Sequence, residues 1–163
     1  MEILQWNIRG LQANSEELNI LLSNFNPVLV SLQETFLKPS KTTTFKNYSL
    51  YNLPSEESNG TIHGGIVILV NSAVPHSQIQ LNTNLQAIAV RATFHKTISV
   101  CSIYLSPSSI LTAVILIISL PNYLPLFYCW EISMPTAAHG VAPKPIIVES
   151  WSKISCLNIT CLC

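Results

Sequence analysis

The sequence predicts a mixed α/β sandwich, and the order of its apolar patterns supports that prediction. An alternating segment at Glu2–Asn7 predicts a first strand, and an amphipathic helix follows it. A short β-branched run at Val28–Leu32 is long enough for a second, buried strand. The later patterns are those of strands and loops, so one helix and several strands are expected to share a core. With 163 residues, the chain is long enough for one such domain.

The predicted helix lies between the first two strands. Asn14 or Ser15 is expected to cap it, and Glu16 and Glu17 stand favourably in its first turn. Apolar residues then recur at i, i+3, i+4 and i+7, which predicts one apolar face. These residues are Leu18, Leu21, Leu22 and Phe25. The dipeptide Asn26-Pro27 is expected to end the helix, because proline disfavours the helical conformation of the preceding residue.

The rest of the predicted domain consists of strands and loops. Four strands are expected, at Tyr48–Leu53, Ile66–Val70, Leu85–Phe94 and Thr97–Leu105. His95 and Lys96 are expected to form the hairpin turn between the last two strands. Lys38–Lys46 and Pro54–Gly60 are rich in polar and turn-forming residues, and both are predicted to be loops.

The charge composition excludes a global attraction for polyanions. Only 10% of the residues are charged, 48% are hydrophobic and the formal net charge is zero. No basic field therefore surrounds the whole protein. A non-catalytic DNA-binding module is disfavoured for the same reason, because phosphate contacts need lysine and arginine.

The cysteines do not predict a metal site. Cys101 lies in an apolar run and is expected to be a buried thiol, whereas Cys129, Cys156, Cys161 and Cys163 lack the paired spacings of zinc ligands. The N-terminal segment has the pattern of a strand and not of a signal peptide, so a nuclear or cytoplasmic location is expected.

Four short motifs occur in order along the first two thirds of the chain. They are Trp6-Asn7-x-x-Gly10-Leu11, Leu32-Gln33-Glu34-Thr35, His63-Gly64-Gly65 and Ile103-Tyr104-Leu105-Ser106-Pro107. Their order and spacing resemble the endonuclease/exonuclease/phosphatase superfamily, and more closely the apurinic-type endonuclease domain of jockey-like non-LTR retrotransposons. The resemblance covers roughly residues 1–113, the N-terminal half of such a domain. It implies a partial four-layered α/β sandwich whose C-terminal half is missing.

This resemblance also implies an activity, Mg²⁺-dependent nicking of target DNA that primes reverse transcription. Glu34 would be the magnesium ligand, and Asn7 would help to hold the metal and the phosphate. Tyr104 would form a hydrogen bond with the scissile phosphate, and Arg9 would contact the DNA backbone. Asn7, Glu34 and Tyr104 are thus the expected catalytic residues, DNA is the expected partner, and no obligate protein partner is implied.

Each motif also has an ordinary structural interpretation. A lone glutamate after a strand is usually a solvated cap, and a tyrosine near proline is usually a half-buried surface residue. Asn7 before a turn commonly bonds to the local backbone. Gly64-Gly65 would then be a tight turn and His63 a surface histidine. The functional interpretation is preferred because the four motifs coincide in order.

Two further motifs of the family are missing from these 163 residues. All eight acidic residues are glutamates, so neither Gly-Asp-Phe-Asn nor Ser-Asp-His occurs. His139 stands in Ala138-His139-Gly140 and has no acidic neighbour. General-base activation of water therefore has no candidate, and this copy is expected to be inactive.

Composition changes abruptly near residue 113. Residues 1–113 hold twelve of the sixteen charges and one of the five cysteines, and residues 114–163 hold the remainder. Regrouping the codons of residues 122–141 one nucleotide earlier permits the missing Gly-Asp-Phe-Asn at its expected place. We interpret 114–163 as a poorly structured, out-of-frame tail.

An alternative function follows from the same segment. Residues 110–130 carry no charge and are long enough to cross a membrane. Pro121 and Pro125 interrupt the second half of this stretch. The alternative is a membrane-anchored, non-catalytic protein that uses 110–130 as its span.

The frameshift interpretation predicts the DNA sequence around codons 105–165. We expect a single-nucleotide shift near codons 113 and 114, with Gly-Asp-Phe-Asn encoded in the neighbouring frame. Sequencing this region in the genome and in intact relatives tests the expectation. The expectation would be contradicted if the reading frame that encodes this chain continued, without a shift, the reading frame of intact relatives.

Overall fold

The structure, a computed structural model, describes residues 2–58, 61–104, 127–130 and 146–148. These residues form one helix and eleven strands. In chain order the elements are β1 (Ile3–Asn7), α1 (Ser15–Phe25), β2 (Leu29–Gln33), β3 (Tyr48–Leu53), β4 (Glu56–Ser58), β5 (Thr61–His63), β6 (Ile66–Asn71), β7 (His76–Ile79), β8 (Gln86–Thr93), β9 (Thr97–Tyr104), β10 (Phe127–Trp130) and β11 (Ile146–Val148).

The strands form three sheets. The five-stranded sheet has the order β11-β1-β2-β6-β3, the four-stranded sheet has the order β10-β9-β8-β7, and β4 pairs with β5. β1 and β2 run parallel, with Asn7 opposite Gln33 at their carboxyl ends. β8 and β9 form a long antiparallel hairpin, with Gln86 opposite Tyr104 at one end and Thr93 opposite Thr97 at the other.

Two apolar layers hold these elements together. Leu18 and Leu22 of α1 pack with Leu4, Val30 and Leu69 on one face of the five-stranded sheet. The opposite face of that sheet packs against the four-stranded sheet, through a cluster of Ile3, Leu29, Ile66, Ile68, Val70, Ile88, Val90, Ala92, Ile98 and Val100. The predicted mixed α/β sandwich is therefore confirmed, and the described residues supply a helix layer and two sheet layers.

A polar cluster crosses the otherwise apolar layer between the sheets. The Ser31 hydroxyl of β2 donates to the Ser102 hydroxyl of β9 at 2.8 Å. Gln33 Nε2 donates to Ser31 at 2.8 Å and to Ser102 at 3.1 Å. All three residues are buried, so these bonds satisfy groups that would otherwise be costly to desolvate. The cluster fixes the two sheets in register close to the carboxyl end of β2.

Helix α1 follows the prediction with two corrections. Leu18 and Leu22 are buried, but Phe25, the last residue of the helix, is 41% exposed. Asn14 is the residue before the helix, yet its side chain makes no capping bond. Its Nδ2 instead donates to the carbonyls of Ile8 at 2.7 Å and Gly10 at 3.2 Å. Asn26 ends the helix in the left-handed conformation.

Five strands were not predicted, namely β4, β5, β7, β10 and β11. Glu56–Ser58 lies inside the predicted loop Pro54–Gly60, but it forms β4 and pairs with β5 at Thr61–His63. β7, at His76–Ile79, pairs with β8 at the edge of the four-stranded sheet. β4, β5 and β7 are short and largely polar, and β7 shows no fully buried residue. Short edge strands need little apolar periodicity, which explains why the pattern does not reveal them.

Most of residues 105–163 lies outside the described residues. The predicted span at 110–130 is described only at its end, where Phe127–Trp130 forms β10 beside β9. The part of the chain that the structure describes contains no helix long and apolar enough to cross a membrane. Ile146–Val148 forms β11 beside β1. The boundary at residue 113 and the out-of-frame origin of 114–163 stay predictions.

Tyr48, at the start of β3, links that strand by a hydrogen bond to the chain just after α1. Its hydroxyl donates to the carbonyl of Pro27 at 2.8 Å. Burial raises the pKa of Tyr48 to about 12, and a hydrogen bond with Asn71 opposes part of that rise. The neutral phenol is thus the form that the folded protein favours.

This raised pKa predicts a loss of stability at alkaline pH. Below pH 10 the phenol is protonated in both the folded and the unfolded chain. Between pH 10 and 12 the unfolded chain ionises first, so stability falls as the pH rises through this range. We expect Tyr48→Phe to be less stable than the unchanged chain below pH 10 but to show a shallower fall above it. Urea unfolding across this range measures both, and parallel pH curves for the two proteins would contradict the prediction.

Candidate functional site

The parallel pairing of β1 and β2 brings the first two predicted site residues together. Asn7 ends β1, and Glu34 directly follows Gln33 at the end of β2. Asn7 and Gln33 are paired in the ladder, so Asn7 and Glu34 lie at the same edge of the sheet. Both residues are buried, with 7% and 6% of their surfaces exposed. A carboxylate and an amide thus share one small, water-poor region of the protein.

Hydrogen bonds on both sides extend the sheet past the end of β2. The amides of Gly10 and Leu11 donate to the carbonyls of Glu34 and Thr35, at 2.8 and 2.9 Å. On the other side, the Thr35 amide donates to the carbonyl of Gly65 at 3.2 Å. The Glu34 backbone is therefore held between two glycine-containing loops.

Glu34 adopts a backbone conformation that side chains rarely take. Its φ is 51°, in the left-handed region, and Arg9 and Phe36 have φ values of 46° and 51°. Such residues cost on the order of 1–3 kcal/mol each and persist where the surrounding structure holds them. The main-chain bonds to Gly10 and Gly65 provide that restraint at Glu34. The strain is concentrated at the same sheet edge as Asn7 and Glu34.

Gly64 and Gly65 leave room for neighbouring side chains to pack closely, and a larger residue at either position would push those side chains away. An added Cβ at Gly64 would lie 2.8 Å from Cδ1 of Tyr104 and would also collide with Oε1 of Gln86. At Gly65 it would lie 2.6 Å from Oγ1 of Thr35. Both glycines also have positive φ, at 67° and 84°. The two glycines are thus more than a tight turn, because they let Tyr104 and Thr35 approach the loop. His63, just before them, is exposed.

Tyr104 reaches this region from the other sheet. It is the last residue of β9 and stands opposite Gln86 on β8. Burial raises the pKa of the Tyr104 phenol, and the negative charge of Glu34 raises it further. Both effects favour the protonated phenol, so Tyr104 remains a hydrogen-bond donor at neutral pH.

Arg9 supplies the positive charge of the site. Its Nε lies 3.8 Å from Oε2 of Glu34, and its side chain is 40% exposed against 8% for Glu34. The Glu34 carboxylate is buried, so the nearby guanidinium offsets part of the cost of holding that charge away from water. The exposed part of the Arg9 side chain is free to meet a ligand from solvent. The Asn14 side chain fixes the turn that carries Arg9, through its bonds to Ile8 and Gly10.

Sequence reasoning did not identify Gln86 as part of this region. The amide of Gly65 donates to Gln86 Oε1 at 3.0 Å, so this side chain fastens the glycine loop beside Tyr104. Gln86 begins an ordinary strand, and nothing in the local pattern distinguishes it from a surface residue. Its role depends on the pairing of β8 with β9, which the local pattern does not contain.

The donor set is suited to a hard divalent cation bound together with a phosphate. Glu34 supplies one carboxylate and Asn7 one amide oxygen, and Mg²⁺ commonly uses one or two carboxylates plus waters and phosphate oxygens. No group of three or more His, Cys, Asp or Glu side chains that could hold a metal occurs among the described residues. The residues therefore fit a cation whose coordination substrate oxygens complete, and not an all-protein cage.

Comparisons with known proteins agree with these motifs. The model of the endonuclease/exonuclease/phosphatase family matches residues 4–147. The RNA-directed DNA polymerase from mobile element jockey of Drosophila melanogaster is 30% identical over 111 residues, which is 66% of this chain and 12% of that protein. Its counterpart from Drosophila funebris is 30% identical over 105 residues, or 63% of this chain and 11% of that protein.

A solved structure shows the same fold. The endonuclease domain of TRAS1, a telomere-specific non-LTR retrotransposon, is 20% identical and superposes with a TM-score of 0.60, covering 78% of this chain and 58% of that domain. The chain thus spans little more than half of that domain and about a ninth of the jockey proteins. Because the family match covers most of its residues, the chain belongs to the endonuclease/exonuclease/phosphatase family, and its jockey relatives confirm the predicted resemblance to a retrotransposon endonuclease domain.

Proposed function

We propose that the site around Glu34 binds a DNA phosphodiester together with Mg²⁺, and that it derives from the nicking site of a retrotransposon endonuclease. Asn7 and Glu34 lie at one sheet edge, and Tyr104 of the other sheet is close enough to interact with the charge of Glu34, which supports this proposal. Nucleases of this family use a divalent metal. The choice of Mg²⁺ rests on the oxygen donors, which are the ligands this ion prefers.

Glu34 and Asn7 would hold the metal in this proposal. When bound, the cation would stabilise negative charge that develops on the phosphate oxygens. Glu34 is preorganised for this role by its restrained backbone, and its burial strengthens electrostatic interactions at the carboxylate. The neutral amide of Asn7 adds an oxygen ligand without repelling the phosphodiester.

Tyr104 and Arg9 would bind the phosphate. The Tyr104 phenol is protonated at neutral pH, and the upward direction of its pKa shift reinforces this, so it can donate a hydrogen bond to a phosphate oxygen. Arg9 is partly exposed, and a cation bound to Glu34 would compensate the buried carboxylate in its place, so the guanidinium could then pair with the phosphate. These two side chains bind and orient the phosphate but do not activate water.

We infer that these 163 residues alone do not hydrolyse DNA. Hydrolysis needs a group that takes a proton from the attacking water. The sequence has no aspartate, and His139 has no acidic neighbour. Glu34 is committed to the cation in this scheme, so it is not available as the base. The site would then still bind the metal and the phosphodiester but would not catalyse hydrolysis.

Metal binding provides the first test. Adding Mg²⁺ or Mn²⁺ should stabilise the chain by about 1.4 kcal/mol at a concentration ten times the Kd. Glu34→Gln should abolish this shift, whereas Glu16→Gln should retain it, because Glu16 is exposed in the first turn of α1. Thermal unfolding with EDTA and with each metal measures the shift. An equal shift in the Glu34→Gln variant would place the metal elsewhere and refute the proposed site.

DNA nicking provides the second test. Supercoiled plasmid incubated with the chain and Mg²⁺ should remain supercoiled, at the level of the Glu34→Ala variant. Agarose electrophoresis resolves nicked from supercoiled plasmid. Nicking that disappears in Glu34→Ala would overturn the inferred inactivity, although it would support the position of the metal site.

A further inference from the structure

The chain segment that follows Glu34 is basic although the whole protein is neutral. Residues 35–55 contain three lysines and no acidic residue, in a chain whose formal net charge is zero. The lysines are Lys38, Lys41 and Lys46, and all three are exposed. Three of the eight basic side chains of the protein thus project from the loop between β2 and β3.

This loop, residues 36–46, is anchored to the core at both ends. Leu37 is 2% exposed and Phe45 is 6% exposed, and both join the apolar cluster beneath α1. The backbone amide and the hydroxyl of Ser55 both donate to the carbonyl of Leu37, at 3.0 and 2.8 Å. The loop therefore presents its lysines from fixed ends, which lowers the entropic cost of binding a ligand.

The loop begins at the candidate site. The Phe36 amide donates to the carbonyl of Gly64 at 3.2 Å, and a Cβ added at Gly10 would lie 3.7 Å from Cδ2 of Phe36. The Phe36 ring thus lies over the turn that carries Arg9. The residue is 37% exposed and has a φ of 51°. The left-handed backbone of Phe36 costs stability, and backbone strain of this kind clusters at ligand-binding sites.

We propose that residues 36–46, here called the basic loop, form a DNA-binding surface. This surface extends from Glu34 along the DNA strand on one side of the bound phosphodiester. Its lysines would pair with backbone phosphates, since each neutralised phosphate releases condensed counterions. Phe36 would stack on a base or sugar next to the phosphodiester, as exposed aromatic rings do in DNA-binding proteins. The inference rests on the proposed function, because it takes the phosphodiester at Glu34 as the start of the path.

Two other exposed basic residues provide a matched control. Arg91 and Lys96 are exposed on the β8–β9 hairpin. Gln86 and Tyr104 pair at the site end of this hairpin, whereas Arg91 pairs with Ser99 and Lys96 lies beyond the far end. At about 3.3 Å per residue, Arg91 is roughly 17 Å from the site end of the strand. Removing these two charges changes the net charge as much as removing Lys38 and Lys41.

The test is the salt dependence of DNA binding. Fluorescence anisotropy of a labelled duplex is measured in EDTA at several salt concentrations, so that no metal contributes. The Lys38→Gln/Lys41→Gln variant should lower the slope of log K against log salt by about 2, from about 0.9 per lost phosphate contact. The Arg91→Gln/Lys96→Gln variant should keep the slope of the unchanged chain. Equal slopes for the two variants would overturn the proposal, as would undetectable binding by the unchanged chain.

Phe36 is tested by a change that leaves the charge alone. Phe36→Leu should weaken binding about fivefold or more without altering the salt slope, because stacking carries no counterion release. Unchanged DNA affinity of Phe36→Leu would show that Phe36 is not part of the DNA-binding surface. Loop-dependent binding without a Glu34-dependent metal shift would support the basic loop and refute the metal site. A metal shift without loop-dependent binding would support the metal site and refute the basic loop.

Discussion

The parallel pairing of β1 with β2 is the constraint on which the rest of the site depends. It brings Asn7 and Glu34 to one edge although 26 residues separate them in the chain. Main-chain bonds continue the pairing beyond both strands, from Gly10 and Leu11 to Glu34 and Thr35. A slip of one residue would turn every side chain of β2 to the opposite face, so the site and the core require the same register. The Ser31–Gln33–Ser102 cluster stabilises that register from the other sheet.

Much of this fold could be predicted from apolar periodicity. The helix and the buried strands follow from patterns that extend over five or more residues, and strand β3 is found at the predicted Tyr48–Leu53. The missed strands β4, β5 and β7 are short and depend on a neighbouring strand more than on their own composition. Phe25 continues the periodicity of Leu18 and Leu22, but it is the last residue of the helix, and periodicity alone does not show where the underlying sheet ends.

The site was predictable only where its residues form a recognisable motif. Glu34 and Tyr104 stand in such motifs, and the structure brings both to the same region. Gln86 could not be predicted, since its bond to Gly65 exists only after β8 has paired with β9. Asn14 has the expected composition for a helix cap, yet its amide donates to two carbonyls of the preceding turn. Nearby acceptors determine which bond such a side chain makes, and spacing along the chain does not reveal them.

The net charge of zero gives little information about the surface near Glu34. The Debye length is about 8 Å at physiological salt, so a ligand experiences the charges close to its binding site and not their sum over the protein. The acid-free stretch 35–55 places its lysines on the loop next to the site, whereas Glu16 and Glu17 lie in the first turn of α1 and Glu56 and Glu57 lie in β4. Segregation of charge within a neutral chain produces a local field that composition averages away. The strained residues Arg9, Glu34 and Phe36 adjoin that field, so the strain, the positive charge and the buried carboxylate coincide at one sheet edge. Backbone strain and a buried charge both cost stability, and their coincidence at one sheet edge is the pattern on which the proposed binding site rests.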